Sequence, residues 1–180
     1  GSSAETGCFS VAIGCGTLAN MKGFGCNIAF GRKAGQMLCT GIHNFFAGNY
    51  AAKFVLGSNN IAIGQRAMQC MTTASDSIAL GEDALVGSST TTNNTGDRNI
   101  ALGSNAGKVV SSGSGNVFLG HRAGCTITSG DSNIAIGECV QLASATGDTQ
   151  LAIGCGTNRW IIGDSSYNVC LAGVGVTTVS

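Results

Sequence analysis

Nine times along the chain a short apolar stretch runs directly into a glycine. The four-residue stretches are Ser-Val-Ala-Ile (10–13), Asn-Ile-Ala-Phe (27–30), Asn-Phe-Phe-Ala (44–47), Asn-Ile-Ala-Ile (60–63) and Ser-Ile-Ala-Leu (77–80), followed by Asn-Ile-Ala-Leu (99–102), Asn-Val-Phe-Leu (116–119), Asn-Ile-Ala-Ile (133–136) and Gln-Leu-Ala-Ile (150–153). The glycines that close them are Gly14, Gly31, Gly48, Gly64, Gly81, Gly103, Gly120, Gly137 and Gly154, at intervals of 17, 17, 16, 17, 22, 17, 17 and 17 residues. A fixed period of this length is the signature of a solenoid, in which each repeat stacks on its neighbours. The pattern predicts an all-β solenoid, a β-roll or β-helix of about nine 17-residue coils; no stretch sustains a helical period.

Alternate residues of a strand point to opposite faces. The large residues at the first and third apolar positions therefore share a face, and the Ala between them takes the other. Stacked about 4.8 Å apart, the coils place Ile61 over Ile78 and Val117 under Ile134. The hydrophobic effect favours the large residues as the inward spine, which leaves the Ala stripe outward, small enough for close approach by a second chain.

Asn27, Asn44, Asn60, Asn99, Asn116 and Asn133 open six of the stretches, and stacked Asn side chains form hydrogen-bonded ladders. A second glycine lies seven residues before the marker, as Gly7, Gly41, Gly57, Gly96, Gly113, Gly130 and Gly147. It predicts a positive-φ corner, and with it two strands per coil joined by two tight turns. Residues 1–6 are expected to be a tag or unstructured lead, 7–154 the repeat array, and 155–180 shorter terminal coils or a cap. In that last segment Trp160 and Tyr167 are placed to close the open end of the core.

Composition narrows the function classes. The chain has 180 residues, 29 of them Gly and none Pro, with equal numbers of acidic and basic groups. A zero net charge gives no general attraction to nucleic acid or anionic membrane, and no apolar run approaches the roughly 20 residues of a membrane span. The nine cysteines (8, 15, 26, 39, 70, 125, 139, 155 and 170) contain no C-x-x-C. They are expected to be reduced, small apolar fillers.

Candidate chemistry is sparse. Gly14-Cys15-Gly16-Thr17-Leu18-Ala19 is a near miss for a dinucleotide loop without a following helix. His43 and His121 lie about four coils apart, too far for a joint metal site. Asp97, Asp131 and Asp148 follow turn glycines but lack the calcium-binding nonapeptide. No enzyme, catalytic residue, metal or cofactor is expected. The candidate contact residues are Ser88, Thr90, Thr92 and Asn94 in the one long insertion, since loops on a rigid scaffold carry binding. His121 and Arg122 join them from the charged corner just after a marker glycine.

The Asn-x-Ala-Ile-Gly stretches resemble the repeats of phage tail-fibre and virion structural proteins. The passage from Gly81 to Gly103 is similar to their longer repeat, and the stretch from Ser129-Gly130-Asp131 to Gly163-Asp164 resembles cyanophage fibre proteins. The pattern, over residues 7 to 173, is also similar to the head repeats of trimeric autotransporter adhesins. The resemblance implies a parallel homotrimer in a virion appendage that contacts a host glycan or receptor. A bacterial surface adhesin and a self-assembling extracellular filament with end-to-end stacking are the alternatives. Neither nucleic acid nor membrane insertion is implied.

Overall fold

The computed structural model describes residues 10–22, 25–88 and 94–172. The strands are β1 (Val11–Ile13), β2 (Ile28–Phe30), β3 (Phe45–Ala47), β4 (Ile61–Ile63), β5 (Ile78–Leu80), β6 (Ile100–Leu102), β7 (Val117–Leu119), β8 (Ile134–Ile136), β9 (Leu151–Cys155), β10 (Asn158–Gly163) and β11 (Val169–Leu171). They form one sheet in sequence order, and no helix is present among the described residues. β1 to β9 are parallel neighbours, each one coil further along a β-solenoid of about eight turns. The register is that of the repeat: Ile61 pairs with Ile78 and Val117 with Ile134.

The two faces of this sheet are the reverse of the sequence expectation. Ala29, Ala62, Ala79, Ala101 and Ala135 are fully buried, whereas Ile13 is 60% and Ile63 39% exposed. The inward side chains of each strand are the opening Asn and the Ala two positions on; the large residues point out. The physical reason is the narrow cross-section of the coil. The segment after each marker glycine supplies the bulky core residues Leu38, Val55, Met71, Val110 and Ile127, and only a small side chain fits opposite them. Phe46 and Phe118 stand where other strands have Ala, and glycines make room for them. A Cβ on Gly35 would lie 2.9 Å from the Phe46 ring, and one on Gly107 2.5 Å from that of Phe118.

Burying Asn is costly unless its amide is fully paired, and here it is. Each inward Asn carries the bonding from one coil to the next. Asn116 Oδ1 accepts from the Asn133 backbone N–H (2.9 Å) while its Nδ2 donates to the Gly130 carbonyl (2.9 Å). Equivalent Oδ1 acceptors run from Asn27 to Asn44, Asn44 to Asn60, Asn60 to Ser77, Asn99 to Asn116 and Asn133 to Gln150. Where Ser77 replaces Asn, its Oγ accepts from Asn99 N–H (3.1 Å).

The expected second strand of each coil is absent among the described residues. Its place is taken by a run of turns with positive φ at the second and fourth residues after the marker, such as Arg66 (59°) and Met68 (54°). The turns still bond coil to coil, as in Met68 N–H to Ala84 O (2.9 Å). The glycine seven residues before each marker also departs from expectation: among the described coils it has no positive φ, and the left-handed residue sits two positions later, as at Asn59 or Arg98. Glycine is required there by proximity, since a Cβ on Gly113 would lie 2.5 Å from the Gly130 carbonyl oxygen.

After β9 the chain turns back instead of adding a parallel coil: β10 pairs antiparallel with β9, and β11 with β10. The Asp164 carboxylate accepts from Ser166 and Asn168 N–H and from Asn168 Nδ2 in the β10–β11 turn. Trp160 and Tyr167 do not plug the core; they are 63% and 81% exposed.

Candidate binding surface

The two residues after each marker glycine form a corner along the rod, its second residue held left-handed in coil after coil: Lys33, Tyr50, Arg66, Asp83, Asn105, Arg122 and Cys139. Their backbones are locked to adjacent coils, so charges 16 or 17 residues apart in sequence meet in space.

The corner divides into three parts. In the middle coils the charge is neutralised internally. Arg66 Nε donates to Asp83 Oδ1 (2.6 Å), its Nη2 reaches Glu82 (3.3 Å), and Lys108 Nζ donates to Asp83 Oδ2 (3.1 Å). The Arg66 hydrogen bond, helped by Lys108, holds the Asp83 carboxyl below the usual carboxylate range despite its burial.

Toward the N-terminal end the charge is uncompensated. Arg32, Lys33 and Lys53 converge on the ring of Tyr50, their cationic atoms 5.2, 5.9 and 5.7 Å from its centroid. Arg32 Nη1 donates to Tyr50 Oη (2.6 Å), and Lys53 Nζ also lies 4.3 Å from the centre of Phe54. Among the described residues no carboxylate forms an ion pair with any of the three. At the other end His121, Glu138 and Cys139 lie together, with His121 Nδ1 3.7 Å from Glu138 Oε1.

The sequence-predicted contact residues fare unevenly. Asn94 is buried, and its Nδ2 donates to the carbonyls of Cys70 and Ser88, both at 2.8 Å. It braces the base of the insertion and presents no surface, which corrects its reading as a contact residue. Ser88 is half-buried with its N–H on Asn94 Oδ1 (3.0 Å). Thr90 and Thr92 lie outside the described residues. His121 and Arg122 are exposed on the corner, and His43 sits on the opposite corner of its coil. Asp97, Asp131 and Asp148 each accept a backbone N–H of the preceding coil at 2.7–2.8 Å; their carboxylates serve the stack.

The cysteines are not core filler. Cys15 and Cys155 are exposed free thiols, and Cys39, Cys70, Cys125, Cys139 and Cys170 are half-buried ones. Cys26, expected reduced, is disulfide-bonded; Cys8 lies outside the described residues. Burial pushes the Cys70 thiol up, with Lys53 opposing.

Compared with family models, curated proteins and solved structures, the chain matches none.

Proposed function

We propose that this chain is a non-catalytic rod segment of a fibrous surface appendage, a phage tail fibre or related virion structure, assembled as a parallel homotrimer. One observation carries the reading: the strand face turns its large apolar side chains outward along the whole array. Nine stacked strands about 4.8 Å apart make a strip about 40 Å long and about 10 Å wide. Val11, Ile28, Phe30, Ile61, Ile63 and Ile134 on it are 37–42% exposed. An apolar footprint of about 400 Å² is the size of a typical monomer's largest apolar patch, which is often functional. The strip repeats with the coil, so a second copy in register meets like side chains at every level, and closed cyclic symmetry satisfies all copies. The antiparallel fold-back at β10 ends the parallel coil stack, which disfavours head-to-tail filament growth at that end.

The partner class follows from the corner. Three cations without a carboxylate partner, gathered around a half-buried tyrosine, suit an anionic carbohydrate whose carboxylates or sulfates take the charges. An acidic cell-surface glycan is the host ligand of this reading.

Sedimentation equilibrium tests it. The wild type is expected at three times its chain mass, and Ile63→Lys with Leu80→Lys on the outward face at one chain mass with an unchanged far-UV spectrum. A wild-type monomer at micromolar concentration sinks the trimeric fibre.

A further inference from the structure

We propose that His121, Glu138 and Cys139 form a zinc site between two successive coils, the thiolate, imidazole and carboxylate supplying three ligands and water the fourth. The inference is independent of the fibre reading and rests on the corner geometry alone. One ligand atom from each residue lies within 4.8 Å of the other two, with His121 Nδ1 and Glu138 Oε1 at 3.7 Å. Zinc bonds of about 2.0–2.3 Å in a tetrahedron need ligand atoms roughly 3.3–3.8 Å apart. The His121–Glu138 pair at 3.7 Å already falls in that range. The backbone is already fixed, because Cys139 N–H donates to the His121 carbonyl (2.8 Å).

The same corner gathers a cation elsewhere in the rod. At Arg66 a guanidinium from one coil meets Glu82 and Asp83 at the two corner positions of the next. At His121 the equivalent two positions of the next coil carry Glu138 and Cys139. The position equivalent to Arg66 is Arg122, which forms no ion pair with Glu138 among the described residues; His121, one residue before it, lies against that carboxylate instead.

The donor set selects the metal. Nitrogen, sulfur and one oxygen suit zinc and exclude a calcium or magnesium preference, which need oxygen ligands. The Cys139 thiol is free and half-buried, and His121 and Glu138 are exposed, so an ion has direct access. Binding releases the thiol proton and requires neutral imidazole, so affinity falls as pH drops.

Cobalt(II) titration of the reduced, chelator-stripped chain tests the site, with zinc competition as the second measurement. Expected are one cobalt per chain, a sulfur-to-cobalt charge-transfer band in the near ultraviolet, and its bleaching by stoichiometric zinc. Cys139→Ser is expected to abolish the band, His121→Ala to weaken binding at least tenfold, and Cys155→Ser to change neither. Should Cys139→Ser misfold, the His121→Ala affinity and the acid sensitivity of the wild-type band decide in its place. A band that survives Cys139→Ser, disappears with Cys155→Ser, or is indifferent to His121→Ala overturns the site, as does a wild type that takes up no metal.

Discussion

Asn116 is the most exacting test of how the coils are held together. Its side chain makes two bonds that no other group replaces: Oδ1 accepts from the buried Asn133 N–H, and Nδ2 donates to the Gly130 carbonyl. It also donates to Asn99 Oδ1 (3.0 Å), but that oxygen keeps the Asn116 backbone N–H when the side chain is removed. Asn116→Ala therefore strands one donor and one acceptor at a fully buried position. Each unsatisfied buried group costs about 1–3 kcal/mol, which sets the loss from the two at about 2–6 kcal/mol. For a chain of this size that is a fall in Tm of roughly 4–24 °C. Asn116→Ser is the internal control, because Ser77 already serves in the same column with its Oγ accepting the next coil's N–H. Serine keeps the acceptor and loses the donor, so about half the destabilisation is expected. Urea denaturation at fixed protein concentration measures the order, and amide exchange at Asn133 locates it. An alanine variant within about 1 kcal/mol of wild type, or a serine variant no better than alanine, would refute the ladder as the source of coil-to-coil cohesion.

Two further outcomes follow from the corners. Gly64 and Gly156 both have positive φ, at 129° and 56°, but a Cβ on Gly64 would lie 2.5 Å from the Gly81 carbonyl oxygen while one on Gly156 meets nothing within 4 Å. Gly156→Ala is expected to cost about 1 kcal/mol for backbone strain and Gly64→Ala at least about 3 kcal/mol, read from the same urea curves. The Asp83 carboxyl has its pKa lowered by Arg66 and Lys108 in the fold. Its stabilisation is thus complete above the unfolded value of about 3.9 and is lost as pH falls below it. Asp83→Asn should flatten the drop in urea midpoint between neutral pH and pH of about 3; an equal drop in both proteins would show that Arg66 does not stabilise the carboxylate.

The period, the strand positions and the register were all legible, because nine glycines and nine apolar stretches repeat in phase. The inward face was not. A strand reading Asn-Ile-Ala-Ile satisfies alternation with either parity, and a one-residue change of phase exchanges the faces. Hydrophobicity argued for Ile inward; the width of the coil decided for Ala. Two signals in the chain point to the correct choice. Asn and Ala have the same parity, so a buried Asn ladder and a buried Ile spine are incompatible. Phe46 and Phe118, in the Ala column, are accompanied by Gly35, Gly107 and Gly124 in the column that faces them, a compensation of volume meaningful only inside a core. The Tyr50 cluster and the His121–Glu138–Cys139 group were missed for a different reason. Their members adjoin only after the coils are stacked, and linear spacings such as C-x-x-C do not register that neighbourhood.

The inverted faces bear on how such a rod is used. By spending its inward positions on amides and methyl groups, each coil gains directional bonding along the axis and gives up burial of its largest side chains. In the proposed trimer that burial would be recovered as the strand faces of the copies cover one another. The charged corner begins one residue beyond the strand. In the proposed trimer it therefore lies at the rim of each interface, exposed and repeated once per chain. On the proposed reading, a single cluster of three cations and a tyrosine would bind an acidic sugar weakly, and three copies on one trimer would engage a polymer of such sugars together. Effective concentration then raises avidity by orders of magnitude with no new contact. On this argument, loss of the outward apolar face should abolish retention on a multivalent acidic glycan surface while leaving the affinity for a monovalent fragment unchanged.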